Sequence, residues 1–534
     1  MADPGLAVAV AAVGALLLIF VLYPAARVLT FPRLAEYLAV TQNLRWLQAA
    51  RNSLQMMVLS TLTATGVGFL YAFAVSRRDL PLRRFFQSLS VLPLFAPPFM
   101  VAFSYILMFG RVGLVTKSLL GLDVNIYGWQ GLWLVQTVAF FPFATLVIGA
   151  VLDQINPTLE YAARNLGATE GKVMRTVLLP LARPGIAAAM LVVAISVLAD
   201  FGNAVVIAGG FPLLATEAWF LIEGSANLSG AAVVVALLLI PTIGLFLLER
   251  FWVGRRVYTA VSGRGTRIEQ PPTPPAIRWG LFAGCAVIGT LVLLVYVGVL
   301  LGSVASVWGY KWAPTLAHWR LGLAQGGAQL LTSVKIGALS AALTSLIAVV
   351  AAFVTSRRDL PFLKVIDFLA VLPAALPGVF IGVGYLLAFN APPLLLAGTS
   401  WILTLALTFW HIPLGYQAAH AQLKQIDRSI EEAAQNLGAP GLRVLWDVYF
   451  PLLRPAFTAS FITAFIRSVT NLSIVVFLVT PRNLVATYSI LAMIGGGFWG
   501  AAAALTTALL AITLAGVGLA RLLLGVRLRP LGST

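Results

Sequence analysis

"NLGATEGKVMRTVLLPLARP", Asn165–Pro184, interrupts a chain that is otherwise apolar, and "NLGAPGLRVLWDVYFPLLRP", Asn436–Pro455, interrupts it again 271 residues later. Ten of the twenty positions are identical, among them the opening Asn-Leu-Gly-Ala and the closing Arg-Pro. A polar, glycine-punctuated segment at two corresponding places implies a duplicated chain whose halves present the same feature.

The setting of those segments is a membrane. The 534 residues are 60% hydrophobic and 10% charged, with a mean hydropathy of +0.95. A soluble surface needs roughly 25% charged residues. The net charge of +17 does not read as nucleic-acid binding, because the basic residues punctuate apolar runs instead of clustering on a polar face. Cys285 is the single cysteine, which excludes a disulfide framework, an iron–sulfur cluster and a thiolate zinc site.

A helix needs about 20 apolar residues to cross the hydrocarbon core. Twelve such runs are predicted, near 5–24, 53–75, 85–109, 129–151, 185–208, 230–249, 279–304, 331–355, 366–389, 400–420, 456–480 and 501–520. They lack the alternation of a membrane barrel strand. With the N-terminus inside, 24 of the 35 Lys and Arg residues fall in the inside segments, as the positive-inside rule requires. Asp3, Arg27 and Arg33 run against the rule locally, and the whole-chain asymmetry outweighs them. The start lacks the positive n-region of a cleaved signal peptide. This orientation puts both polar copies, and both termini, in the cytoplasm.

The repeat extends beyond the opening stretch. "SRRDLP" occurs at Ser76–Pro81 and Ser356–Pro361, and Pro142 and Pro413 fall at matching places in the fourth run of each half. Two six-helix halves are predicted, 1–250 and 279–534, joined by a basic, proline-rich cytoplasmic linker at 251–278. An even number of spans gives both halves the same orientation, related by a pseudo-twofold axis along the membrane normal.

Each polar copy is predicted to be a short helix on an elbow. Asn156 and Asp427 are the caps, with Pro157 at the first position of one copy. Ala162–Ala163 and Ala433–Ala434 permit close approach, and Gly167 or Gly438 makes the left-handed turn. A second short helix then closes at Pro180 or Pro451, before Pro184 or Pro455 starts the next span. An ordinary basic loop explains one such segment; two equivalent knobs suit a partner with two equivalent sockets.

Glu432-Ala433-Ala434-X-X-X-Gly438, followed by Phe450–Pro451, resembles the signature of binding-protein-dependent ABC import permeases. The first copy differs in having Tyr161 at the glutamate position, with Glu160 just before it. "LADFGN" at Leu198–Asn203 and "GRGT" at Gly263–Thr266 are similar to the ferric-iron branch of that family. The resemblance implies an all-α type I importer fold with twelve spans in two tandem halves, in a bacterial inner membrane. It also implies a cytoplasmic ATPase in two copies, gripped through Glu160, Tyr161, Ala162, Ala163, Gly167, Pro180, Glu432, Ala433, Ala434, Gly438 and Pro451. A periplasmic or lipid-anchored binding protein is implied outside.

ATP chemistry is not expected in this chain. "GATEGKV" at Gly167–Val173 has one spacer too few for a P-loop and valine where the metal-binding hydroxyl belongs, so ATP and magnesium belong to the partner. His318, His411 and His420 show no ligand spacing, and no catalytic residue or metal ligand is assigned. The Gly280/Gly284, Gly298/Gly302 and Gly378/Gly382 pairs read as helix contacts. A charge facing lipid is costly, so Asp200, Asn203, Arg467, Asn471 and Ser473 are expected to border the translocation path. Asp200 and Arg467 pair either when that path closes or as a permanent strut. Outside, Trp308, Trp312 and Trp319, or Glu217 and Glu223, are candidates to meet the binding protein, the tryptophans reading equally as an interface belt.

The function expected is import of ferric iron, with thiamine, aminoethylphosphonate or another small polar solute as alternatives in the same class. An ion-coupled secondary transporter is the alternative class. It calls for carboxylates in both halves, and Asn471 stands where Asp200 has its counterpart.

Overall fold

The computed structural model describes residues 4–253, 271–357 and 363–524. "GRGT", most of the linker and Arg358–Pro361 of the second "SRRDLP" lie outside the described residues. Among the described residues nine helices are long and apolar enough to cross a membrane, or eleven if two sharply bent pairs each count as one span. The remaining expected span, 400–420, is a 24-residue helix, Ser400–Leu423. It is long enough to cross, but His411, Gln417, His420 and Gln422 make it less apolar.

Four expected spans are broken. The 85–109 run divides into Arg83–Val91, a 3-10 turn at Leu92–Phe95 and Pro98–Phe109. Pro93, Pro97 and Pro98 supply no N–H to carry a helix through. Its counterpart bends by 115° between Leu363–Ala375 and Gly378–Phe389, at Pro377. The 185–208 run ends as a helix at Leu198 and restarts at Gly202–Ile207. The 456–480 run likewise ends at Val469 and restarts at Val475–Leu478.

The duplication is visible element by element. Helices Trp129–Leu152 and Ser400–Leu423 each have 24 residues and an internal proline. The elbow helices Thr158–Asn165 and Ser429–Asn436 have eight residues each. Wide π turns follow at Met174–Leu178 and Leu445–Tyr449, where Leu179 N–H donates to the Met174 carbonyl and Phe450 N–H to the Leu445 carbonyl. The widened turn takes the strain of the following Pro180 or Pro451, whose ring otherwise strikes the carbonyl one turn back.

Pro180 therefore does not close a helix as expected: it sits in the first turn of Leu179–Leu198, in a span continuous from Glu170. In the second copy the break comes at Leu453, with a 74° bend between Gly441–Leu452 and Arg454–Val469.

The halves are not separable bodies. The first span, Gly5–Thr30, packs on the second half: Tyr385 Oη donates to the Phe20 carbonyl at 2.8 Å, and Phe20 stacks on Phe409 with centroids 4.9 Å apart. Gly384 admits the Pro24 carbonyl, which a Cβ would meet at 3.0 Å. Reciprocally, Pro275–Val304 packs on the first half. Tyr296 Oη donates to the Leu92 carbonyl at 2.7 Å, Phe282 meets Phe86 at 5.7 Å, and Gly298 makes room for Ser104. A large apolar core shared by both halves results, beside a small separate cluster of Ile462, Ile466, Val517 and Ala520.

Most of the expected glycine contacts are present: Gly284 meets Leu70, Gly302 meets Leu107, Gly378 meets Ser473 and Gly382 meets Phe477, whereas Gly280 faces open space. Cys285 is fully buried in this packing. A two-stranded antiparallel hairpin, Ala305–Val307 with Lys311–Pro314, caps the end opposite the elbows.

Candidate functional site

The elbows form as the sequence predicts. Asn156 Oδ1 accepts from Thr158 N at 3.0 Å, and Asp427 Oδ1 accepts from Ser429 N at 2.9 Å. That amide bond holds the Asp427 carboxyl below the usual aspartate range. Gly167 and Gly438 turn left-handed at φ +80° and +81°. Their turns close the helix ends in matching ways: Ala168 N donates to the Ala163 carbonyl and Ala439 N to the Ala434 carbonyl, at 3.0 and 3.1 Å. Stopping the helix there forces out the residue before the glycine. Leu166 and Leu437 are each 89% exposed, the most exposed large apolar side chains among the described residues. Leu159 and Ile430 are exposed on the same helices. Each elbow thus presents an apolar tip.

One acidic side chain of each elbow turns inward. Glu160 and its equivalent Glu431 are buried, while Tyr161 and Glu432 are exposed. The structural register therefore pairs Glu160 with Glu431, and the buried carboxylate, one residue before the signature position, occurs in both halves.

Arg77 Nη1 donates to Glu160 Oε2 at 2.9 Å, both side chains 5% exposed, and the Arg77 guanidinium lies 4.4 Å over Phe73. Arg164 spans Glu160 at 3.6 Å and Glu170 at 2.7 Å. In the second half Tyr449 Oη and Gln435 Nε2 both donate to Glu431 at 3.1 Å. Arg357 lies 5.1 Å over the Tyr449 ring and donates to the Leu423 and Ile426 carbonyls at 3.0 and 2.8 Å.

Arg77 and Arg357 are functional candidates that sequence reasoning missed; their signal was the repeated "SRRDLP". Arg77 ties the elbow to the end of helix Leu44–Ser76. Asp79 holds the returning linker through Thr273 N and Oγ1, at 2.8 and 2.9 Å.

Deeper in the bundle, Asp200 and Asn471 occupy equivalent breaks and do equivalent work. Asp200 Oδ1 accepts from Asn203 N at 3.1 Å, and Asn471 Oδ1 from Ile474 N at 2.9 Å. Each caps the short helix that follows its break. Asp200 Oδ2 also accepts from Gln136 Nε2 at 3.0 Å, and Ser60 donates to Gln136 Oε1 at 2.8 Å. Asn203 is fully buried, with Oδ1 accepting from Ala102 N at 3.3 Å.

Arg467 does not pair with Asp200. Its guanidinium instead lies 5.9 Å over Phe143 of the other half. Ser473 packs against Gly378, where the first half has Gly202 against Pro98, so one glycine keeps each crossing close.

Glu217 is buried and accepts from Arg45 Nε and Nη2, at 2.7 and 2.8 Å, which engages it within the fold, while Glu223 is exposed. Trp308 donates to the Leu107 carbonyl at 2.9 Å and packs on Trp312. Among the described residues no group of three or more His, Cys, Asp and Glu side chains is placed to hold a metal.

A bundle of membrane-length helices, built twice and carrying twin apolar elbows, defines a transport permease. The chain belongs to the family described as binding-protein-dependent transport system inner membrane component, whose model matches residues 64–258 and 344–524, once in each half. It is 33% identical over 465 residues, 85% of this chain and 67% of the relative, to the ferric transport system permease protein FbpB of Actinobacillus pleuropneumoniae. It is 24% identical over 466 residues, 86% of this chain and 84% of the relative, to the Fe(3+)-transport system permease protein FbpB 2 of Haemophilus influenzae. The molybdenum transport system permease protein ModB of Escherichia coli is 28% identical over 216 residues, 39% of this chain and 93% of that protein.

Proposed function

We propose that this chain is the membrane subunit of an ATP-driven importer that receives ferric iron from an external binding protein and releases it into the cytoplasm. The observation that carries the reading is the pair of elbows, each with the same left-handed turn and an exposed leucine at its tip. Two identical tips suit two identical grooves, and a pair of ATPase subunits carrying ATP and magnesium supplies them. The elbows and both termini then face the cytoplasm.

Ferric iron is preferred over thiamine or aminoethylphosphonate because three of the relatives that match both halves are named as ferric transport permeases. Ion-coupled transport is disfavoured: Asp200 has no carboxylate twin and its oxygens are already taken by amides. In this reading Arg467 borders the path between halves. The capped breaks at Asp200 with Asn203, and at Asn471 with Ser473, are the points at which it opens.

The test is uptake of radiolabelled ferric iron into vesicles holding this chain, its ATPase and its binding protein. Accumulation that requires ATP and the binding protein supports the proposal. Accumulation driven by an ion gradient without ATP overturns it.

A further inference from the structure

One charge in the bundle is left unanswered. Arg467, near the end of helix Arg454–Val469, makes no hydrogen bond and no ion pair among the described residues, and the Phe143 ring of the other half lies 5.9 Å from its guanidinium. The side chain keeps exposed surface although it lies deep in the bundle, so that surface faces a space inside the protein. Beside it, within reach of its charge, His411 is 2% exposed, with Nδ1 3.3 Å from Ser468 Oγ and Nε2 without a hydrogen-bond partner. When Ser468 donates to Nδ1, the ring proton sits on Nε2 and is a second unanswered donor.

Packing does not demand either group. The fourth and fifth spans of the first half have Phe140, Ser196 and Val197 where the second half has His411, Arg467 and Ser468. A charge stranded in a membrane bundle is costly, and a guanidinium with no acceptor is ready to pair with an oxyanion. The other residues placed at the path offer nothing of opposite sign. Asn203, Asn471 and Ser473 are neutral, and Asp200 already accepts from Gln136 Nε2 and from Asn203 N and Nδ2. A bare ferric ion passing there meets a like charge and no free carboxylate.

We propose that the cargo crosses as an anionic ferric chelate, with carboxylate or phosphate oxygens still on the iron, and that Arg467 receives an oxyanion of that chelate. The guanidinium fork pairs with oxygens side by side, and His411 Nε2 adjoins it as the second donor. Iron stays ferric and no covalent bond is made or broken; the oxyanion masks the charge of the metal during passage. Held by a single uncommitted cation, the chelate leaves as readily as it arrives. The direction and drive of this passage rest on the importer reading; the donor set does not.

The test has two arms. In the first, the purified full-length chain is dialysed to equilibrium against radiolabelled citrate and, separately, radiolabelled inorganic phosphate. For at least one of these anions Arg467→Gln weakens binding at least about tenfold, the scale of a lost charge-assisted hydrogen bond, while Arg467→Lys retains most of it and His411→Phe weakens it less than Arg467→Gln. In the second, vesicles holding the chain, its ATPase and its binding protein receive ferric citrate or ferric phosphate labelled on both iron and oxyanion. The oxyanion enters with the iron, Arg467→Gln lowers both together at least about tenfold at normal membrane abundance, and the label that enters identifies the chelator. Binding of both anions unchanged by Arg467→Gln, or a larger loss in His411→Phe, overturns the assignment to Arg467. Iron that enters with both oxyanion labels left outside overturns the chelate and leaves the importer reading standing. Arg467-dependent binding without ATP-dependent uptake removes the importer reading and leaves the oxyanion station standing.

Discussion

Replacing Glu160 by alanine strips a buried guanidinium of its partner. Arg77 and Glu160 are each 5% exposed and joined at 2.9 Å. Arg77 Nε already lacks a partner, and the nearby Glu170 carboxylate is committed to Arg164 at 2.7 Å, so it is not free to replace Glu160. Removing one member of a buried pair costs about 3–5 kcal/mol, and each 1.4 kcal/mol is about tenfold in an equilibrium. The elbow at Thr158–Asn165 then opens locally at least roughly a hundredfold more often. Hydrogen exchange read by mass spectrometry on peptides covering that helix measures the change directly, with Ser429–Asn436 as the internal reference. Joint replacement, Arg77→Met with Glu160→Leu, restores most of the protection, because two apolar groups leave no stranded charge. Exchange within about twofold of the native rate in Glu160→Ala refutes the claim that this pair holds the elbow.

Three further outcomes follow from the same structure. Gly167→Ala and Gly438→Ala each cost about 1–2 kcal/mol from backbone strain alone, since the added Cβ meets open space; a rise in thermal stability from either contradicts the left-handed turn. Gly298→Leu collides with Ser104 and Met108 and sharply lowers the yield of monodisperse protein, whereas Gly280→Leu leaves it unchanged; equal yields refute the crossing of the first spans.

The third concerns acid. The Asp427 carboxyl is depressed by its bond from Ser429 N, so its contribution is present above the unfolded aspartate range and is lost as pH falls through the folded value. Protection of the second elbow therefore declines in acid, and Asp427→Asn removes that decline; a pH response unchanged by the substitution contradicts the cap.

Much of this was legible in the sequence because the relevant physics is local. The caps at Asn156 and Asp427 and the turns at Gly167 and Gly438 depend on side chains a few residues apart, and duplication makes each signal appear twice. The inward face of the elbow was not legible. Glu160 and Tyr161 differ by about 100° around a helix, and only the position of Arg77, brought in from 83 residues away, decides which one turns inside.

Apolar composition likewise hid the breaks at Pro93–Pro98 and at Ala199–Phe201, because hydropathy measures solvent preference and not backbone continuity. The exchange of the first spans was invisible for the same reason: Gly5–Thr30 reads as apolar whichever half it packs against. Asp200 and Arg467 were paired on charge alone, yet Gln136 and Asn203 satisfy the carboxylate and the guanidinium lies over the Phe143 ring.

The measurement that bears most directly on the account is ATP-driven ferric uptake by the complex carrying Leu166→Asp together with Leu437→Asp. Both side chains project into solvent from the two tips, so the substitutions leave the bundle intact and alter only what a partner meets. The account predicts normal membrane abundance, loss of the co-purifying ATPase and uptake reduced at least about a hundredfold, the effect of placing a charge in an apolar contact on both sides. An ATPase that stays bound, with uptake undiminished, contradicts it.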